Sequence, residues 1–119
     1  MVATHELTVQ TRGDGDMLDL TAQVTNAVQR SHAKSGLVSV AVIGSTAGIT
    51  TIEYEPGLVA DMRQAFGRIA PMGVAYAHDA RWGDGNGHAH VRASMLGPSV
   101  TLPVVNGQVA LGTWQQVVL

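Results

Sequence analysis

The chain has no cysteine, which excludes disulfides, thiolate zinc sites and cysteine nucleophiles together. Aromatic residues are only 4% of the sequence, so a core must be built from Val, Leu, Ile, Ala and Met. Positive charge is sparse and scattered: 7 Lys and Arg stand against 9 Asp and Glu, and the net charge is −2. Such a chain has no basic field for nucleic acid and no charge pattern for binding a membrane surface. No apolar run approaches the length of a transmembrane helix. The N-terminal MVATHELTVQ is too polar for a secretory signal. These absences point to a cytoplasmic protein. There is no Gly-x-Ser-x-Gly elbow, so nothing favours a serine triad. The string GSTAG at 44–48 lacks the Gly-Lys-Ser/Thr ending of a phosphate-binding P-loop.

At 119 residues and 45% hydrophobic, the chain forms one domain spanning residues 1–119, with no internal repeat. A domain this small gains from oligomerisation. Residues 4–11 read as a first strand, with Leu7 and Val9 inward. The RGDGD string at 12–16 is a turn. A helix starts at Thr21, carries Val24, Ala27 and Val28 on one face, and ends near Gly36. Residues 37–43 predict a buried strand and 49–54 another, with a small-residue bend between them. Pro56 after Glu55 opens a second helix with Leu58, Met62, Ala65, Phe66 and Ile69 on its apolar side. Residues 72–87 are irregular and long enough to be a functional loop. Asn106-Gly107 marks a type I′ hairpin between a strand at 99–105, where Pro103 demands an edge position, and a return strand at 108–119. Helices and strands do not alternate strictly, so the class is α+β.

The stretch from Asp84 to Gln115 holds the candidate chemistry. His88, His90, Arg92 and Ser94 alternate with Ala89, Val91, Ala93 and Met95. A period of two predicts a strand with one apolar and one polar face. On such a face two imidazoles could converge on one metal or one anion. A catalytic zinc would need a third ligand, for which His78 and Glu53 are the candidates. Arg92 could grip a phosphate or carboxylate with its fork of N–H donors, assisted by the hydroxyls of Ser94, Ser99 and Thr113. One histidine could work as general acid or base. The alternative is structural: His88 and Arg92 paired with Asp84 or Asp79 at a subunit interface. Trp114 is expected to pack over the sheet.

The strings GNGHAHVRASMLGPSVTLPV and GQVALGTWQ, with GSTAGITTIEYEPG and the Tyr-x-His at Tyr76 and His78, resemble the YjbQ-like proteins, also known as secondary thiamine-phosphate synthases. The resemblance implies an α+β sandwich of two sheets with two main helices, assembled as a homotrimer through packed sheets. It implies a polar pocket for a small phosphorylated molecule, and weak thiamine-phosphate synthase activity that joins a pyrimidine diphosphate to a thiazole phosphate. A divalent zinc or magnesium ion would suit that reaction. By motif, His88, His90 and Glu53 match the catalytic positions and His78 the loop histidine, which with His88 and His90 makes a possible ligand set. Asn86 matches the amide before the histidines. Thr113, Trp114 and Gln115 match the terminal signature. Two departures stand out. Many relatives carry His-Thr-Thr-Ala where this chain has Gly44-Ser45-Thr46-Ala47, and relatives commonly continue beyond the point where this sequence stops, at Leu119, so that the chain is expected to be either naturally short or truncated there. The alternative function is a non-catalytic trimer that holds an anion.

Overall fold

Five strands form two small antiparallel sheets in the computed structural model, which describes residues 1–119. In the larger sheet, β1 (Ser35–Ala41) pairs along its whole length with β3 (Ser99–Val105), and β4 (Gln108–Val109) adds two residues on the far side. The turn between β3 and β4 is Asn106-Gly107, both at positive φ of 52° and 76°, as a type I′ turn requires. Pro103 sits where β3 becomes an edge. Its carbonyl accepts from Ala110 N–H at 2.8 Å, it has no N–H to return, and β4 ends at Val109.

In the smaller sheet, β2 (Thr50–Ile52) pairs with β5 (Gln116–Val118). On its other side β5 meets residues 18–20: Leu20 N–H donates to Val117 O at 2.8 Å, and Leu18 and Leu119 exchange both backbone bonds. The last strand of the chain is thus an inner one. Val117 is wholly buried and forms the main core with Leu20, Val24 and Ile49.

Four helices surround the sheets. α1 (Thr21–Ser31) buries Val24 and Val28 and ends at His32, in the left-handed region, four residues before the expected Gly36. α2 (Pro56–Ile69) begins as expected, with the Glu55 carboxylate accepting from the Gly57 and Leu58 amides. The stretch at 72–87 is not structureless, since α3 (Ala77–Trp82) lies within it.

The structure corrects three other expectations. Residues 4–11 form no strand, although Val9 reaches the core. The strand at 37–43 is not buried: Val38, Val40 and Val42 pack inward, while Leu37 is 74% and Ile43 99% exposed. Residues 108–119 are not one strand, because a turn at 112–115 carries the chain from one sheet to the other. Trp114 rides on that turn, 71% exposed, and does not cover a sheet.

The largest correction concerns residues 87–96. They form a helix, α4 (Gly87–Leu96), not a strand. Val91 is the only β-branched residue in it, and Ala, Met, Leu and Arg favour helix. Its first amide, Gly87 N–H, is satisfied by the Asp79 carboxylate at 2.9 Å. Gly97 at φ 86° stops it. A close contact anchors its end: a Cβ placed on Gly48 would lie 2.7 Å from Leu96 Cβ and 3.0 Å from Gly97 O. Ile49 N–H donates to the same Gly97 carbonyl at 3.1 Å.

Two predictions follow from this packing. Gly48→Ala forces loop and helix apart and should destabilise the fold by about 1–3 kcal/mol, whereas Gly67→Ala, in an exposed helix position with open space around it, should stabilise it by about 0.5–1 kcal/mol. Denaturant unfolding of the two variants checks both signs. The second prediction concerns Asp16. Its carboxyl is held below its ordinary value, first by the backbone N–H and then by the side chain of Arg12. A lowered carboxyl stabilises the fold above its unfolded value, and that contribution is lost as the pH falls through the folded value. Asp16→Asn should therefore melt below the wild type at neutral pH and converge with it in acid. An offset that stays constant across pH would exclude this origin.

Candidate functional site

The helical course of residues 87–96 redistributes the alternating residues. On a helix, positions two apart point to nearly opposite sides, and positions four apart share a face. His88 and Arg92 therefore fall on one side of α4, and His90 and Ser94 on the other. The expectation that all four line one face is corrected, because it rested on a strand.

His88 is 5% exposed. Its Nε2 lies 2.8 Å from Asp14 Oδ1, in the glycine-flanked turn of residues 12–16. His88 is therefore paired within the chain, with Asp14 and not with the expected Asp84 or Asp79. Asp79 serves the helix terminus instead, and Asp84 makes no ion pair with either residue. Arg92 donates from Nε to the Ala70 carbonyl at 3.0 Å and stands 5.8 Å over the Phe66 ring. It borders a cleft of about 140 Å³ between α2, α4 and the 11–17 loop.

On the opposite face, His90 stacks with His78 of α3, with ring centroids 4.3 Å apart and planes inclined by 42°. His90 borders a second cleft, of about 240 Å³, walled by Gly44, Ser45, Ala47, Ser94 and the Gly97-Pro98 turn. Ser94 Oγ donates to the His90 carbonyl at 2.8 Å. The imidazole of His90 makes no hydrogen bond within the chain. Two buried polar atoms of the chain lack a partner: His78 Nδ1, whose nearest carboxylate oxygen is Asp79 Oδ1 at 3.5 Å, and Asn86 Oδ1. One imidazole, that of His90, two serines and a small-residue loop thus line one open cleft, with the His78 ring 4.3 Å from that imidazole. Ser45 was not among the expected site residues; only its place in the small-residue string hinted at it.

The remaining expected residues stand apart. Glu53 is exposed at the end of β2 and forms no ion pair with a histidine. Ser99 is exposed at the start of β3, and Thr113 is exposed on the turn before β5. His78, His88 and His90 do not converge, and no three His, Asp or Glu side chains of the chain are grouped closely enough to hold a metal ion. The residues of one chain do not fit a three-histidine zinc or magnesium centre. No helix is long and apolar enough to cross a membrane.

Comparison with known proteins agrees with this architecture. The family model described as "UPF0047 protein YjbQ-like" matches residues 5–119. A UPF0047 protein of Archaeoglobus fulgidus is 38% identical over 112 residues, covering 94% of this chain and 85% of the relative. One from Methanothermobacter thermautotrophicus is 34% identical over 116 residues, covering 98% and 80%. Among solved structures, a YbjQ-like protein of unknown function from Sulfolobus solfataricus superposes with a TM-score of 0.82 at 33% identity, covering 87% of this chain and 73% of that one. A YjbQ/UPF0047 protein from Clostridium acetobutylicum gives 0.82 at 32% identity, covering 92% and 83%. Sequence and fold agree across nearly the whole chain, which belongs to the YjbQ-like UPF0047 family.

Proposed function

We propose that this protein binds a small phosphorylated molecule in the His90 cleft, as a homotrimer in the cytoplasm. The observation that carries the reading is the His78–His90 pair, with rings 4.3 Å apart beside an open cleft. An imidazole donates through one ring N–H when neutral and through both when protonated. A phosphate offers oxygens to accept from the His90 ring and from the Ser45 hydroxyl. The reaction in view is thiamine-phosphate synthesis. In it, the thiazole nitrogen displaces pyrophosphate from the pyrimidine methylene, and His90 would donate a hydrogen bond to the departing pyrophosphate as its charge develops. His88 acts as a positioning residue through Asp14. A metal ion at the histidine pair would need ligands beyond those of one chain.

One observation favours a non-catalytic reading of the same cleft. Asp79, the carboxylate nearest the histidine pair, already accepts the Gly87 amide, and Glu53 stands away in solvent. No free carboxylate adjoins the histidines to assist proton transfer.

The trimer is supported by the shape of the single chain. Its radius of gyration is 16.0 Å, against about 13.5 Å for a compact domain of this length. Two large apolar residues, Leu37 in β1 and Ile43 just beyond its end, have no cover within the chain. Apolar surface left bare in this way fits an obligate contact between copies, and such a contact would complete a sandwich. The number three comes from the family resemblance.

Two measurements test these readings. Titration with inorganic pyrophosphate should shift the amide resonances of Ser45 and Ser94, and His90→Ala should remove the shifts. Wild-type shifts that persist in that variant would reject the site. Incubation with the pyrimidine diphosphate and thiazole phosphate then separates the two functions: product that disappears with His90→Ala supports synthesis, and binding without product leaves the non-catalytic reading. Light scattering should give three times the chain mass, and Leu37→Glu with Ile43→Glu should lower it. A monomeric wild type would reject the trimer.

A further inference from the structure

The Arg92 cleft differs in chemistry from the His90 cleft and lies on the other side of α4. Its walls are largely apolar: Met17, Ile52, Met62, Phe66, Leu96 and Val118. Two charged side chains border it, Asp16 and Arg92. Asp16 is spoken for. Its carboxylate accepts from Arg12 N–H at 3.0 Å, Arg12 Nη2 at 3.2 Å and Met17 N–H at 3.1 Å, and Arg12 balances its charge. Arg92 is not. It has no carboxylate partner in the chain, and its one hydrogen bond uses Nε. That bond, together with the Phe66 ring at 5.8 Å, fixes the guanidinium and leaves its Nη donors uncommitted. The cleft therefore offers one unbalanced positive charge at the rim of an apolar space.

The volume sets the scale of a ligand. An apolar cavity of about 150 Å³ takes a benzene molecule, and this cleft is about 140 Å³. A hydrated inorganic anion would leave the methionine and phenylalanine walls bare. A neutral hydrocarbon would leave Arg92 unmatched. A molecule with one ring-sized apolar body and one carboxylate satisfies both, because a guanidinium pairs with a carboxylate through two parallel N–H···O bonds.

We propose that this cleft binds a small organic monocarboxylate, with its apolar body against Phe66 and Met62 and its carboxylate on Arg92. The site is independent of the His90 cleft and of any phosphorylated ligand bound there. The 11–17 loop forms one wall and is held in place at three points: Asp14 on His88, Gly15 O accepting from Arg63 Nε at 3.1 Å, and Met17 O accepting from the Tyr54 hydroxyl at 2.8 Å. The wall is thus in place before a ligand arrives, which lowers the ordering cost of binding.

The test uses benzoate as probe, with benzyl alcohol as its uncharged analogue, followed by amide resonances of the full chain. Benzoate should shift Gly13, Gly15 and Gly48 saturably, and benzyl alcohol should bind at least tenfold more weakly. Arg92→Met should weaken benzoate at least tenfold. Met62→Trp, which fills the cleft and leaves Arg92 in place, should abolish binding, so the site stays testable if either variant alone fails to fold. His90→Ala should leave benzoate affinity unchanged. The proposal is overturned by no saturable shift, by equal affinity for benzyl alcohol, by shifts confined to Ser45 and Ser94, or by affinity that falls as protein concentration rises. The last result would mean that a second copy of the chain fills the cleft.

Discussion

The contact between Gly48 and the end of α4 is the constraint on which the rest of this structure depends. A missing side chain lets the 44–48 loop lie directly on Leu96, and the Gly97 carbonyl ties the two together through Ile49 N–H. Ala47, next to this contact, borders both clefts. The loop is therefore a ridge with a polar hollow on one side and an apolar one on the other. If loop and helix separated, the two hollows would merge, and Ile49 would lose its place in the core.

The residues of α4 explain why the two sides differ. An alternation of polar and apolar residues gives a strand two distinct faces. Wound into a helix, the same alternation sends His88 and Arg92 one way and His90 and Ser94 the other. One side gains a charge beside apolar walls; the other gains an imidazole and a hydroxyl. Neither face is apolar throughout, and α4 is held by its ends as much as by a buried stripe. Asp79 holds the first amide, and the Gly48 contact holds the last turn. At its start, Gly87 allows the backbone to approach Tyr76, whose Cβ would lie 2.6 Å from any side chain placed there.

What could be read from the sequence was what local chemistry decides. Glu55-Pro56 announced α2, Asn106-Gly107 announced its hairpin, and Pro103 marked the residue where a ladder stops. The two main helices and the α+β class came from periodicity and element order. α4 was misread because period alone was weighed, while its helix formers and an amide partner eight residues away decided the matter. The split of the site into two clefts followed from that misreading. The partner of His88 lies 74 residues away in sequence, and nothing local to either residue announces it. The exposure of β1 was equally hidden, since a run such as LVSVAVI looks the same whether its cover comes from its own chain or from another.

The inner position of β5 has a consequence in time. Residues 116–118 are synthesised after the other strands described, yet they stand between residues 18–20 and β2, and Val117 N–H bonds to the Thr21 hydroxyl across 96 positions. Contacts of such separation must overcome the entropy of closing a long loop before they stabilise anything. α1 and the β3–β4 hairpin can form early from neighbours in sequence. The main core of Leu20, Val24, Ile49 and Val117 cannot close until β5 has left the ribosome. Until β5 is synthesised the apolar halves of this core stay open, and surface exposed in that way favours aggregation of the incomplete chain.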